Sequence, residues 1–240
     1  MQLTSVQAAP QLIDQVYDRL LSAIVDGTLA PGERLTQESV AALLGVSRQP
    51  VSHALQVLRR RGLVVETGKR GLSVAPIDGA RIRDLYQVRE ALDAIAARLA
   101  AERVVTGALS TEERREAEDC LACGARLADG CPTAELIAAD VAFHSTLYRL
   151  SGNGAIAETV AEQWPHFMRS MGAVLGEGGA VVRVWAEHAG ILEAVLAGIP
   201  HLAAERARAH SARAGEATGR RLEALSQSAD AAVVRRSIPA

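Results

Sequence analysis

Asp140 and His144 stand four residues apart in a helical pattern that also carries Ile137 and Leu147, so their side chains share one inward-pointing face. His188 lies between Trp185 and Ile191-Leu192 on the apolar stripe of a later helix, and His210 has Ala203, Ala207, Ala214 and Ala217 on its own face. Three imidazoles and a carboxylate on interior faces of different helices form a ligand set for a borderline divalent metal. Zinc or nickel comes first, with iron or manganese next. Ligation requires neutral imidazoles, so such a site would lose its ion below a pH of about 6 to 7. Taken singly, each histidine is more often a hydrogen-bonded core or surface residue than a ligand. His166 and His201 receive no role.

Arg89 sits in Tyr86-x-x-Arg89-x-x-Leu92 with an apolar stripe beside it. A half-buried guanidinium calls for a carboxylate. A pair with Asp93 or Asp140 and a clamp on an anionic effector use the same bidentate geometry, and both readings stand. Trp164 and Arg169, with Met168, are candidates to line the same cavity. Cys120 and Cys123 make a lone C-x-x-C in a helical pattern, with neither a second pair nor a preceding strand, which favours small packing residues over redox or metal chemistry.

A second kind of chemistry lies near the start. Between Ser47 and Gly71, Arg48, Arg59, Arg60, Arg61, Lys69 and Arg70 face only Glu66, although the whole chain carries a formal charge of -2. This local excess suits a phosphate backbone, and a solvated helix face is the plain alternative.

The elements that must position these groups follow from periodicity. Ile13, Val16, Tyr17, Leu20, Leu21, Ile24 and Val25 make an amphipathic helix that stops at Gly27. Pro31-Gly32 makes a turn, Thr36 caps a short helix ending at Gly45, and Ser47 caps a third helix with Pro50 in its first turn and Val51, Ala54, Leu55 and Leu58 as its buried stripe. Leu63 to Glu66 and Leu72 to Ala75 read as two strands around a glycine-bounded turn, with Lys69 and Arg70 at its tip. The result is a winged helix-turn-helix. Its third helix leaves Arg48, Gln49, Ser52, Gln56 and Arg59 opposite the core stripe. Arg48 and Gln49 are the candidates for base contacts, because Arg can fork onto guanine and Gln can read adenine.

Beyond the linker Pro76 to Gly79 the pattern is helical throughout, with helices expected near 80–105, 111–128, 134–150, 155–175, 181–197 and 201–225. The expected fold is mainly α: a flexible start (1–10), the winged helix-turn-helix (11–76), an antiparallel six-helix bundle (77–226) and a flexible tail (227–240). With 49% apolar and 22% charged residues the chain can build sizeable cores. No stretch approaches the ~18 uninterrupted apolar residues of a membrane span, and Met1 to Pro10 has no signal-peptide pattern, so a cytoplasmic protein is expected.

Pro31-Gly32-Glu33-Arg34-Leu35, Leu44 to Val51 and Leu58 to Val64 fall in the order and spacing of the GntR family, and the first domain resembles its winged helix. That resemblance implies operator binding with Arg34, Arg48 and the wing residue Gly71 taking part. Where members commonly carry Arg two residues after the recognition-helix Pro, this chain has Ser52. Asp140-Val141-Ala142-Phe143-His144, Ser151-Gly152-Asn153, Glu187 to Ala194 and His210 resemble the FCD ligand-binding domain of the FadR-like subfamily. The resemblance implies that Asp140, His144, His188 and His210 are the four positions of its metal-binding branch.

The function expected is a ligand-responsive regulator, in the repressor direction, which binds double-stranded operator DNA as a homodimer and takes a divalent metal and a small organic-acid effector. Two readings compete with it. A metal-dependent enzyme would need a general base and a substrate channel that the sequence does not suggest, and a pure metal sensor would respond to the ion alone.

Overall fold

The computed structural model describes residues 10–68, 71–127, 131–172 and 180–236. The chain divides into two compact units, Met1–Ile77 and Asp78–Ala240.

In the first unit helices α1 (Pro10–Val25), α2 (Gln37–Leu44) and α3 (Arg48–Arg60) accompany strands β1 (Arg34–Leu35), β2 (Val64–Thr67) and β3 (Gly71–Val74). Val16, Leu20 and Ile24 of α1 pack in one core with Val51, Ala54, Leu55 and Leu58 of α3, as their helical spacing requires. The Thr36 hydroxyl accepts from the Ser39 N–H at 3.0 Å, and Gly45 closes α2 in the left-handed conformation. Ser47 has the extended backbone of an N-cap but makes no side-chain capping bond, so this end of α3 keeps its N–H groups free of that cap.

The sheet is antiparallel in the order β1-β3-β2. Thr67 opposite Gly71 closes the expected hairpin, and Arg34 opposite Ser73 adds a strand that the periodicity did not announce. Two residues hold no detectable alternation. β1 forms because β3 offers it an edge. The wing tip, Lys69 and Arg70, lies outside the described residues.

The second unit contains α4 (Gly79–Val105), α5 (Thr111–Ala125), α6 (Thr133–Leu150), α7 (Gly154–Ala161), α8 (Trp164–Met171), α9 (Ala180–Leu196) and α10 (Pro200–Arg236). The bundle therefore has seven helices among the described residues instead of six. The helix expected near 155–175 is broken because Pro165 has no N–H to give the Ala161 carbonyl and its ring crowds that oxygen. The last helix also continues beyond Leu225 through 227–236, the stretch expected as a tail. Its start is well defined: Gly198 turns the chain with φ +66° and Pro200 takes the first helical position.

Asp78 caps α4 by accepting from the Ala80 N–H at 2.9 Å, and Ser110 with Glu113 forms the expected capping box on α5. α4 and α10 pack closely where a Cβ on Gly215 would stand 2.6 Å from the Tyr86 Cβ. That approach brings the Arg89 helix against the His210 helix.

Candidate metal centre

Helix α6 supplies Asp140 and His144, one turn apart, α9 supplies His188 and α10 supplies His210. All four side chains are buried, and one ligand atom from each lies within 4.8 Å of the others. His188 Nε2 stands 3.2 Å from His210 Nε2 and 3.5 Å from Asp140 Oδ1, and His144 Nε2 stands 3.9 Å from Asp140 Oδ2. Donors about 2.1 Å from a shared tetrahedral ion would lie about 3.4 Å apart, which is close to these spacings.

The donor set also contains groups that hydrogen bonding within the protein does not explain. Asp140 Oδ2 and both ring nitrogens of His144 are buried without a hydrogen-bond partner. Leaving a buried polar atom unsatisfied costs about 1–3 kcal/mol, so an ordinary core hydrogen-bonding role accounts poorly for them. A cation accounts for Asp140 Oδ2 and His144 Nε2 together.

The outer partners set the rings. His210 Nδ1 lies 2.8 Å from Glu187 Oε2, which leaves Nε2 directed into the cluster. His144 Nδ1 faces Asp93 Oδ2 at 3.4 Å, outside hydrogen-bond geometry. Asp93 itself accepts from Tyr148 and from Ser211, each at 2.5 Å, and lies 3.4 Å from Arg89 Nε. Burial alone would raise the Asp93 carboxyl, but His144 when protonated, together with Arg89, holds it well below the usual carboxylate range. Burial, with a smaller contribution from the Arg89 charge, pushes His144 below the ordinary histidine value, and burial pushes His188 lower still. Both shifts favour the neutral, ligating imidazole. Phe143 stacks on His188 with ring centroids 4.0 Å apart, and Trp185 meets the same ring edge-on at 4.8 Å. Trp185 can sit there because Gly124 of α5 leaves space that a Cβ would fill, 1.8 Å from the indole.

A cavity of about 340 Å³ opens beside the cluster, with Arg89, Asp140, Arg183, Glu187, His210 and Arg213 among its lining residues. Its size suits a small molecule. Trp164 and Arg169, expected on this wall, are not among those residues. Trp164 stacks on the Arg89 guanidinium at 4.9 Å, and Arg169 is buried in α8. Arg89 faces Asp93 and Asp140, as the first of its two sequence readings requires, and it also lines the cavity. Sequence reasoning missed Glu187, Arg183 and Arg213 as polar wall groups. Glu187 follows Arg183 by four residues and Arg213 follows His210 by three, a helical spacing that could have marked them. His166 is buried in α8, His201 is exposed at the start of α10, and the three cysteines are free.

The profile of the FCD domain matches residues 84–213, and that of the bacterial regulatory proteins of the gntR family matches residues 12–74. An HTH-type transcriptional regulator in an unstable DNA locus of Streptomyces ambofaciens is 34% identical over 200 residues, covering 81% of this chain and 80% of that protein. The chain belongs to the gntR family. The HTH-type regulator YdhC of Bacillus subtilis is 28% identical over 139 residues, covering 58% of this regulator and 60% of its own length. The solved structure of Escherichia coli McbR/YncC superposes with a TM-score of 0.70 over 93% of this chain and 99% of that one; at 19% identity the likeness is one of fold. The matched families and relatives are transcription regulators and not enzymes. Among the described residues no helix is long and apolar enough to cross a membrane.

In this gntR-family regulator Arg48, Gln49, Gln56 and Arg59 occupy the exposed face of α3. Arg48 stands 3.9 Å from Glu38 of α2, and Arg59 pairs with Glu66 of β2. Both pairs are exposed, so exchanging them for phosphate or base contacts costs little. Ser52 is only half-buried, but its hydroxyl accepts from Gln37 Nε2 at 3.2 Å, which ties α3 to α2. Arg34 is exposed on β1, and Gly71 is buried at the start of β3.

Proposed function

We propose that this transcription regulator works as a homodimer whose operator affinity responds to a small organic acid bound in the helical domain beside one divalent metal ion. Asp140, His144, His188 and His210 hold the ion, and Glu187 orients the His210 imidazole. The ion supplies Lewis-acid positions for an anionic group. Arg89 presents a fixed positive charge to the same cavity, and its neighbouring aromatic rings exclude water from it.

The observation that carries this reading is the pair of orphaned buried atoms, Asp140 Oδ2 and His144 Nε2, within a cluster whose donors have metal-ligand spacing. On the DNA side, Arg48 and Gln49 reach base edges while Arg34, Arg59, Lys69 and Arg70 position the phosphate backbone, with Ser52 and Gly71 supporting the fold of the reading surface. One recognition helix provides few contacts, and a dimer would read two half-sites of a palindrome.

Elemental analysis of purified wild type and His188→Ala, followed by operator titration with and without candidate acids, tests the proposal. The wild type should hold one ion per chain and the variant should lose it, together with the effector response, while operator binding persists. Full metal occupancy in the variant, or a wild type that binds no divalent ion under any loading condition, would overturn it. Operator binding that follows metal concentration alone would make the ion itself the signal. A monomer on a single half-site at saturation would defeat the dimer.

A further inference from the structure

The charges on the cavity wall restrict the ligand further than size does. Arg213 donates to Glu187 at 2.9 Å, Arg220 lies 3.4 Å from Glu216, and Arg89 faces Asp93 and Asp140. Arg183 of α9 also lines the cavity, and it has no carboxylate partner among the described residues. With Asp93 counted from behind the wall, these four guanidinium groups and four carboxylates balance among the described residues. A divalent ion in the cluster therefore leaves two positive charges without counterpart, one source of which is Arg183 on the exposed part of the wall. At the buried part, Arg89 is 2% exposed and its Nε has no hydrogen-bond partner.

We infer that the effector is a small dicarboxylate, with one carboxylate set among Arg89, Asp140 and His210 and the second held by Arg183. The inference rests on reading the cavity as the effector site. A monocarboxylate would fill the buried end and leave Arg183 uncompensated. A compact dianion such as a phosphoryl group would place both charges at the buried end and do the same. Two carboxylates separated by a short carbon chain meet both positions, and the chain lies against the apolar parts of the wall, which include Met171, Ala180 and Val184. Arg183 touches none of the four cluster residues in any recorded hydrogen bond or ion pair, so it selects the ligand without holding the ion.

Calorimetric titration of the full-length, zinc-loaded protein with succinate and glutarate against butyrate and valerate, at constant ionic strength, reads this directly. The diacids should bind about two- to fivefold tighter than the monoacids of equal length, the size expected of one exposed charge pair. Arg183→Gln should abolish that preference while zinc content and monoacid affinity stay at wild-type levels. Equal affinity of diacid and monoacid for the wild type, or a preference that survives Arg183→Gln, would overturn the dicarboxylate. Binding of no acid by protein that elemental analysis shows to be fully zinc-loaded would overturn the effector-site reading itself, and the dicarboxylate with it.

Discussion

Glu187 Oε2 lies 2.8 Å from His210 Nδ1, and the same carboxylate accepts from Arg213 through its other oxygen at 2.9 Å. One side chain thus holds a proposed metal ligand and a cavity cation at once. Carboxylates in this position fix the tautomer of the imidazole and raise its basicity. Glu187→Ala should weaken zinc binding by roughly 10- to 100-fold, and Glu187→Gln, which keeps an acceptor, should weaken it less. Competition against a chelator of known affinity measures both. Unchanged affinity in Glu187→Ala would show that the contact does not prepare the ring.

Asp93 is the anionic centre beneath the cluster, and it is fully buried against Arg89. Removing one partner of a buried pair strands the other, at a cost of about 3–5 kcal/mol. Asp93→Ala should therefore lower unfolding stability by that order, and Tyr148 and Ser211 lose their shared acceptor as well. A urea denaturation series would show it as a fall in the midpoint at unchanged slope. A loss near zero would mean that Arg89 finds another partner.

Glu113 offers a pH prediction away from the proposed metal centre. The Ser110 backbone N–H, the Ser110 hydroxyl and Arg103 lower its carboxyl to about 2, from 4.5 without these contacts. A depressed carboxylate contributes stability that is fully present above pH 4.5 and is lost as the pH falls toward 2. Glu113→Ala should melt a few degrees below wild type at pH 7, with the gap closing as the pH falls through that window, and calorimetry at several pH values would record it. A gap independent of pH would assign the effect to packing.

On the operator side, Arg48→Ala should relax base preference at one position of each half-site, at a cost of about 1–3 kcal/mol on the preferred sequence. Lys69→Ala should weaken binding to all sequences alike and reduce the salt slope by about one. Titrations of operator variants at several salt concentrations separate the two. Identical behaviour of both substitutions would contradict the division into base-reading and phosphate-positioning residues.

The sequence by itself determined most of the elements and the four inward residues of the His/Asp cluster. Asp140 and His144 are one turn apart, and His188 and His210 stand on apolar stripes, so periodicity alone directs all four inward. Thr36, Ser110 and Gly45 mark helix ends because capping is a local interaction between a side chain or a backbone conformation and the nearest turn. The stripe of α3 and the glycine-bounded hairpin were legible for the same reason.

Tertiary structure decided what depends on partners distant in the chain. β1 exists because β3 lends it an edge, and two residues carry no period of their own. Trp164 and Arg169 share a helix, but the first turns to Arg89 and neither joins the described cavity wall. Asp93 is joined to Ser211, 118 positions away, and Glu187 to His210, 23 positions away, by contacts that helix packing alone creates. Local periodicity fixes which face a side chain occupies. It does not fix the rotation and offset of one helix on another, and those choose which inward groups meet, which nitrogen of a histidine faces the cluster, and which arginine lines the cavity.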